Sequence, residues 1–388
     1  MPRTLRLTVI SLLLLSSFAA AGPPASPGVN AALKYWQAFA TLPRLTSEEQ
    51  RKLEVECATM PLNARARALV AKSDYSFRMM YGGTAIPHCD WAIGFEEGIG
   101  QLLPHAEATR ALSSLACLRA RIRFEEVRDG EAIDDLLAAL TLGRHVSQDG
   151  YLVSVLVRYA IEERVSLTLS AHLPHLNATL LKDLKARIGA LPPGGSTAAG
   201  VRGEEKASLD WLVRQFKEAD RRIKTGEDKA TVLASLPEDI RSLVEKCGGA
   251  PADVLKFAEE MRPWYTDMAA KWDVPPDQFE KEYDREKAKY ASNPVFNTYV
   301  SAVVKVRQAQ ARADVRRALL AAAIDLQLVG REGIADALKN HPDPVAGGPF
   351  DYEEFPGGFE LRSKWRLGSR SLYHGETPLT LTVGQRQK

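Results

Sequence analysis

Signatures of catalysis are what this 388-residue chain has least of. It carries no HExxH, which sets two histidines on one helix face for zinc. It carries no GxSxG, which exposes a nucleophilic serine at a strand-to-helix turn. A phosphate-cradling glycine loop, a GxGxxG after a strand and a paired CxxC are missing too. These gaps remove the reactions such motifs serve, but leave open a centre assembled from dispersed residues. Cysteine is the second shortage. Cys57, Cys89, Cys117 and Cys247 are too few to form the disulfide scaffold of a chain this long. They permit three full pairings, and one bridge, two bridges or buried thiols all fit. A surplus of one charge is the third. Of 51 basic residues, Arg3 and Arg6 lie in the first 21 positions, which leaves 49 against 49 acids and no net charge. A general nucleic-acid binder needs a basic surplus to release counterions, so nucleic acid is not an expected partner. Beyond residue 21 no apolar run reaches the roughly 20 residues that cross a bilayer, so no transmembrane helix is expected in the mature chain.

What is present begins with a leader. Arg3 and Arg6 precede an apolar run from Leu7 to Phe18, then Ala19-Ala20-Ala21. A basic start, a short apolar centre and small residues before the cut describe a secretory signal peptide over 1–21. Export to the periplasm or the exterior is expected, with cleavage near Ala21. No cysteine precedes Cys57, so no lipid anchor is expected. Residues 22–28 read as a disordered leader.

The body is patterned for helices, centred on His105 to Leu191. One helix over about 106–128 carries Ala108, Leu112, Leu115, Leu118 and Ile122 on one stripe, with Asp129-Gly130 as its stop. A second over about 131–147 buries Ile133, Leu136, Leu137 and Leu140, stopped by Asp149-Gly150. YLVSVLVRYAI, from Tyr151, is apolar on nearly every side and belongs in the middle of a bundle. Leu173-Pro174 opens a fourth, with Leu176, Leu180, Leu184 and Ile188 inward. Short turns make such neighbours antiparallel.

Upstream, residues 29–43 predict a helix with Leu33, Trp36, Phe39 and Ala40 inward. Thr46-Ser47-Glu48-Glu49 caps another. A third runs from about Leu62 to Tyr81 and stops at Gly82-Gly83. Residues 192–200 read as a linker or exposed loop between helical halves 29–191 and 201–340. In the second half, Pro263 is expected to kink or split a helix, Pro275-Pro276 to start one, and a long helix to run from about Pro294 to Val329. Residues 341–371 read as a turn and a β-hairpin, with Tyr352 and Glu354 opposite Phe359 and Leu361 across Pro356-Gly357-Gly358. Residues 372–388 read as a loose tail in which LTLTV can form a strand. The fold class is therefore mainly α: an irregular antiparallel bundle or short α-solenoid with a small C-terminal β-hairpin.

Three resemblances accompany these readings. Ala111 to Phe124 followed by Gly130-Glu131-Ala132-Ile133 resembles a tetratricopeptide-like helix pair, although no 34-residue period repeats. The order AALKYWQAFATLP, PHCDWAIGFEEG, GEAIDDLLAALTLGRHVSQDG and D-P-x-x-G-x-P-F, behind a signal, resembles a family of uncharacterised exported bacterial helical proteins. That likeness spans nearly all of the mature chain and implies no activity. DPVAGGPFDYEEFPGGFELRS is similar to the C-terminal cassette of type II secretion pseudopilins, over about 20 residues. The prepilin cleavage site and long N-terminal spine of that family are missing, so the likeness implies a packing cassette and not a pilus role.

The residues most suited to chemistry lie in one loop: His88, Cys89, Asp90 and Trp91, with Glu96, Glu97 and His105 downstream. Imidazole, thiolate and carboxylate are all metal ligands, and a catalytic zinc takes three with one position open. Cys89 beside His88 also suggests a thiol nucleophile, although such pairs are normally assembled across a fold. The structural alternative gives Asp90 a turn, Trp91 burial, and Cys89 a bridge or an inert thiol. His145 suits a helix C-terminus as a cation. His172 and His175 flank a helix junction. Arg158, Glu162, Glu163 and Arg164 interrupt the most apolar helix and should pair or line a cleft. Lys305, Arg312 and Arg316, with Arg307 and Arg317 nearby and Asp314 the one acid among them, form a stripe that suits solvent, the acidic 277–286 segment or an anionic partner. Asn177-Ala178-Thr179 matches a glycosylation sequon. Export, helical patterning and neutrality together point to a non-enzymatic binding or scaffolding protein of the cell envelope. Its partner would be a protein or envelope component, and it would need no cofactor. The alternative is a metal-dependent hydrolase centred on the His88–His105 loop.

Overall fold

A computed structural model describes residues 29–300, 303–366 and 378–384. The leader expected over 1–28 lies outside them. The chain is mainly helical and ends in a small antiparallel sheet, as its patterning predicts. The first half holds α1 (Ala31–Ala40), α2 (Ser47–Glu56), α3 (Ala64–Lys72), α4 (Asp74–Thr84), α5 (Pro104–Glu125), α6 (Asp129–Val146), α7 (Leu152–His172) and α8 (Ala178–Gly189). There follow α9 (Thr197–Glu204), α10 (Trp211–Lys224), α11 (Lys229–Ala234), α12 (Glu238–Cys247), α13 (Pro251–Ala270), α14 (Pro276–Lys289) and α15 (Pro294–Tyr299). Then come α16 (Val303–Val329), α17 (Ile334–Asn340) and strands β1 (Asp351–Phe355), β2 (Gly358–Arg362) and β3 (Thr380–Val383). Helix lengths run from 6 residues in α11 to 27 in α16 without a repeating pair, so the architecture is an irregular bundle.

Polar caps mark many of the helix starts. Asn30, Asn63, Asn177, Ser196 and Asp228 each accept a backbone N–H of the first turn, and Thr46 with Glu49 completes a capping box. The Asn177 of the sequon therefore spends its side-chain oxygen on Leu180 N, 3.0 Å away. In the hairpin Tyr352 faces Leu361 and Glu354 faces Phe359, and β3 extends the sheet by pairing Leu381 with Leu361. Phe359, Leu361, Leu381 and Val383 are buried against α7 and α16. That docking gives a sheet too small to stand alone its stability.

Two large apolar clusters, with a small third of Val155, Tyr159 and Ala313, fill the interior of the described residues. One gathers α1, α4 to α8, the far end of α16 and the sheet, through residues such as Leu115, Leu136, Val165, Leu319 and Leu361. The other gathers α9 to α15 and the near end of α16, around Phe216, Trp264, Trp272 and Phe279. α7 is buried along its length, as its apolar run predicts.

Several local expectations are corrected. Asp129 and Gly130 do not stop a helix; they open α6, and α5 ends at Val127, which takes the left-handed conformation at φ 58°. Arg128 N donates back to Arg123 O at 2.8 Å, the closing bond of a Schellman turn. Gly82 and Gly83 lie inside α4, and a Cβ on Gly83 would stand 2.5 Å from Cε1 of Tyr35. Glycine there serves close helix contact, not termination. α1 buries Ala31, Ala32, Tyr35 and Ala38; of the residues expected inward, Trp36 and Phe39 pack against the core, while Leu33 and Ala40 are exposed. The helix expected over 62–81 is broken at Ser73, and the one over 294–329 after Tyr299. α13 carries Pro263 without a break. Residues 192–195 are docked: Pro192 O, Pro193 O and Gly195 O accept from Arg144, Gln148 and Arg158, and α9 has begun by Thr197. Within the tail, LTLTV does form a strand, β3, with Leu381 and Val383 buried.

Candidate functional site

The loop from 85 to 103 works as a staple. Asn30 holds its start, accepting from Asp90 N at 2.9 Å and donating to Asp90 O, while Ala31 N donates to His88 O. Asp90 turns the chain by accepting Ala92 N at 2.9 Å, and its carboxylate stays at the surface. Further on, Arg214 of α10 donates to Phe95 O, Tyr151 donates to Gly94 O at 2.6 Å, and the ring of Trp211 lies where a side chain on Gly98 would have to go. The loop thus touches both apolar clusters.

Its candidate residues separate. His88, Asp90, Glu96 and Glu97 are exposed; Cys89, Trp91 and His105 are buried. Adjacent residues of an irregular strand point to opposite sides, which disperses a set that looks dense in sequence. Burial, with Asp90 nearby, pushes the Cys89 thiol up to about 12, so it is held as an inert thiol. Trp91 stacks between Tyr35 and Phe39 and donates its indole N–H to His145 O at 3.0 Å. His105 is fully buried and bonds through Nε2 to Asp149 at 2.7 Å, a carboxylate that also accepts from Ser154 and from Tyr151 N. Among the described residues no three His, Cys, Asp or Glu side chains come together as a metal site. The convergence that a zinc-dependent hydrolase on this loop requires is not found there.

His145 and His172 are also placed by packing. His145 is not a cationic cap: burial lowers it to about 4, and its Nδ1 bonds to the Tyr35 hydroxyl. His172 stacks on Phe124 at 4.2 Å and is likewise lowered to about 4, chiefly by burial, while His175 faces solvent.

The arrangement best suited to binding lies elsewhere, between α6, α7, α8 and α16. A cleft of about 250 Å³ opens there. Its walls are apolar, formed by Leu140, Val165, Ile188, Leu191, Leu320 and Ile324, with Ala321 beside them. Four charged residues line it: Arg144, Glu162, Lys185 and Arg317. Glu162 is 5% exposed, and three guanidinium groups turn toward its single carboxylate. Arg317 bonds it at 3.0 Å, while Nε of Arg144 and Nε of Arg158 each stand 3.6 Å from Oε1. That is beyond hydrogen-bond reach. All three atoms are buried, and none has a hydrogen-bond partner among the described residues. Burial lowers Arg144, against the pull of Glu162. Lys185 and Arg317, more exposed, stand at the mouth and pair with Asp325 and Asp314.

The i, i+4 pair of Arg158 with Glu162 is present, as the spacing predicts. The stripe on α16 behaves differently from its expected roles. Arg312 and Arg316 are buried and bridge to Glu163 on α7, Arg307 donates to Val274 O, and Lys305 alone faces solvent. Arg144 was the residue that sequence reasoning missed. Its one signal was an arginine at the end of an otherwise buried helical face. Compared with known proteins, the chain matches no family model, no curated relative and no solved structure, and the likenesses to exported helical proteins and to the pseudopilin cassette stay proposals.

Proposed function

We propose that this is an exported, non-enzymatic binding protein of the cell envelope, and that its ligand seats in the cleft between α6, α7, α8 and α16. One observation carries the reading: an apolar hollow lined by Arg144 and Glu162, whose Nε and Oε1 are buried polar atoms without hydrogen bonds. Buried polar groups are nearly always satisfied, and groups left unpaired in a native protein ask for a missing partner. A concave apolar pocket with a few convergent polar groups is the usual form of a small-molecule site. Export rests on Arg3, Arg6 and the apolar run from Leu7 to Phe18.

The test is direct. Protein purified from the envelope fraction is extracted with solvent, and the extract is compared by mass spectrometry with that of an Ala321→Phe variant, whose ring fills the cleft. A compound present at stoichiometric level in the first and lost in the second supports the reading. Identical extracts, with the variant folded and more stable, would reduce the cleft to a packing defect. Amino-terminal sequencing of the same sample should begin near Gly22; a start at Met1 would remove export.

A further inference from the structure

We infer that Leu191 sets the size of what the cleft can hold, and that the occupant is a compact apolar compound, ring-sized or short-chained, with no long acyl tail. The inference rests on the binding reading above and adds the size class of the ligand and the residue that selects it.

The observation is that one side chain lines two cavities. Besides the cleft of about 250 Å³ there is a second hollow of about 440 Å³, between α4, α6 and the end of α8. Tyr81, Thr84, Leu137 and Thr141 line it, and the ion pair of Arg187 with Asp134, at 2.7 Å, joins α8 to α6 there. Leu191 belongs to the walls of both. The floor is shared in the same way. Leu140 and Arg144 of α6 line the cleft, while Leu137 and Thr141 line the hollow. Those four positions follow one another at helical spacing along a single stripe. The two spaces therefore flank the end of α8, and Leu191 stands between them.

Local sequence puts it there. Pro192 and Pro193 follow, and a residue before proline is disfavoured in helical conformation. α8 accordingly ends at Gly189, and Leu191 leaves its path to pack, half-buried, against the first apolar cluster. The segment is then pinned from both sides. Leu191 N donates back to Ile188 O at 3.4 Å. Pro192 O accepts from Arg144 at 3.1 Å, and Pro193 O from Gln148 at 2.7 Å. A wall anchored through its backbone does not give way to a longer ligand.

Dimensions give the size class. An apolar cavity of roughly 150 Å³ is enough for benzene, so the cleft takes a body somewhat larger than one ring. Along α8 it runs from Lys185 to Leu191, about 9 Å at the helical rise. A long acyl chain would need the space behind Leu191, which the native wall closes off.

The experiment titrates the full mature protein by calorimetry with the 1-alkanols from hexanol to dodecanol. On the native chain affinity should rise about fourfold per methylene at first, as apolar burial predicts, and stop rising before dodecanol. Leu191→Ala should leave hexanol unchanged and bind dodecanol at least tenfold tighter than the native chain does. Ala190→Trp, added to Leu191→Ala, sets a ring in the second hollow and should cancel that gain. Three results would each overturn Leu191 as the limit and leave the binding reading standing. They are a native affinity that climbs unbroken to dodecanol, a Leu191→Ala gain equal for hexanol and dodecanol, and a gain that survives Ala190→Trp. If no alkanol binds the native chain, the size reading falls; if its solvent extract is also empty, the binding reading falls with it. Should Leu191→Ala fail to fold, the milder Leu191→Val should move the stop to a longer alkanol, and an unmoved stop would overturn the assignment.

Discussion

The hydroxyl of Tyr35 stands 2.8 Å from Nδ1 of His145, so α1 is tied to the end of α6 through a buried pair of polar atoms. Both residues are fully buried, Trp91 packs on Tyr35, and its indole N–H bonds to the backbone of His145. Burial keeps Tyr35 protonated far above its usual range and holds His145 neutral. The bond is therefore a neutral one over the physiological pH range.

This pair predicts an acid-sensitive stability. His145 is lowered to about 4 in the fold against an ordinary value near 6.5 when unfolded. Between those values the unfolded chain binds a proton that the native chain refuses, so stability is complete above pH 6.5 and falls as pH drops toward 4. The loss from this residue should be on the order of 2 kcal/mol. Urea midpoints at pH 7.5 and 5 measure it. His145→Gln keeps an acceptor for Tyr35 and should remove about half of the slope, the rest coming from His172, which is lowered over the same range. An unchanged slope would show that other groups set it.

Gly83 predicts a close-contact penalty. An alanine methyl would sit 2.5 Å from the Tyr35 ring, which is fully buried and cannot swing away. Gly83→Ala should cost about 1–3 kcal/mol, as overpacked cores do. Gly82→Ala, whose methyl would meet only the flexible Lys34 stem at 3.7 Å, should be near neutral. Equal costs for the two would contradict the contact.

Val127 predicts a stabilising change. A β-branched residue at φ 58° is strained by roughly 1–2 kcal/mol, and this side chain is 82% exposed, so nothing is lost by removing it. Val127→Gly should raise stability by about 1 kcal/mol or somewhat less, because glycine also loosens the unfolded chain. A lower urea midpoint would refute the turn geometry.

The cysteines predict one bridge. Cys57 and Cys117 lie near enough for each thiol to shift the other's titration, and both are buried among the first-cluster helices. If the chain is exported, thiolate exchange with an oxidising protein disulfide would form the Cys57–Cys117 bond, the two thiol hydrogens leaving on the reduced partner. A bridge across that span stabilises by about 4 kcal/mol in the chain-entropy picture. Thiol titration of secreted protein should find Cys89 and Cys247 alone, and Cys117→Ser should free Cys57. Four titratable thiols after export would count against it.

How much of this could be read beforehand follows the range of the forces involved. The capping box at Thr46, the stop at Gly150, the run of α7 and the hairpin register depend on neighbours within a few residues, and their signals are local. Gly83 was misread because a glycine that ends a helix and a glycine that admits a tyrosine ring look alike in sequence. Val127 was passed over for Gly130 because a β-branched residue seldom takes the left-handed conformation that ends a helix. The partner of Arg312 is Glu163, 149 positions away, and no helix-spacing rule reaches that far. The His88–His105 loop misled for a related reason: closeness along the chain was taken for closeness in space.

α16 begins in one apolar cluster and ends in the other. The hollow left by residues 31–191 is filled by α16, through residues such as Val315, Leu319, Ala323 and Leu326, by Ala337 of α17 and by the strands after it. In the order of synthesis, then, the first part of the protein is the last to be finished. Its amino-terminal helices must wait, apolar faces uncovered, until nearly the whole chain has been made. Contacts of such long sequence separation slow folding and delay cooperative closure. A chain cut short before residue 311 would lose the α16 side of the core that covers residues 31–191.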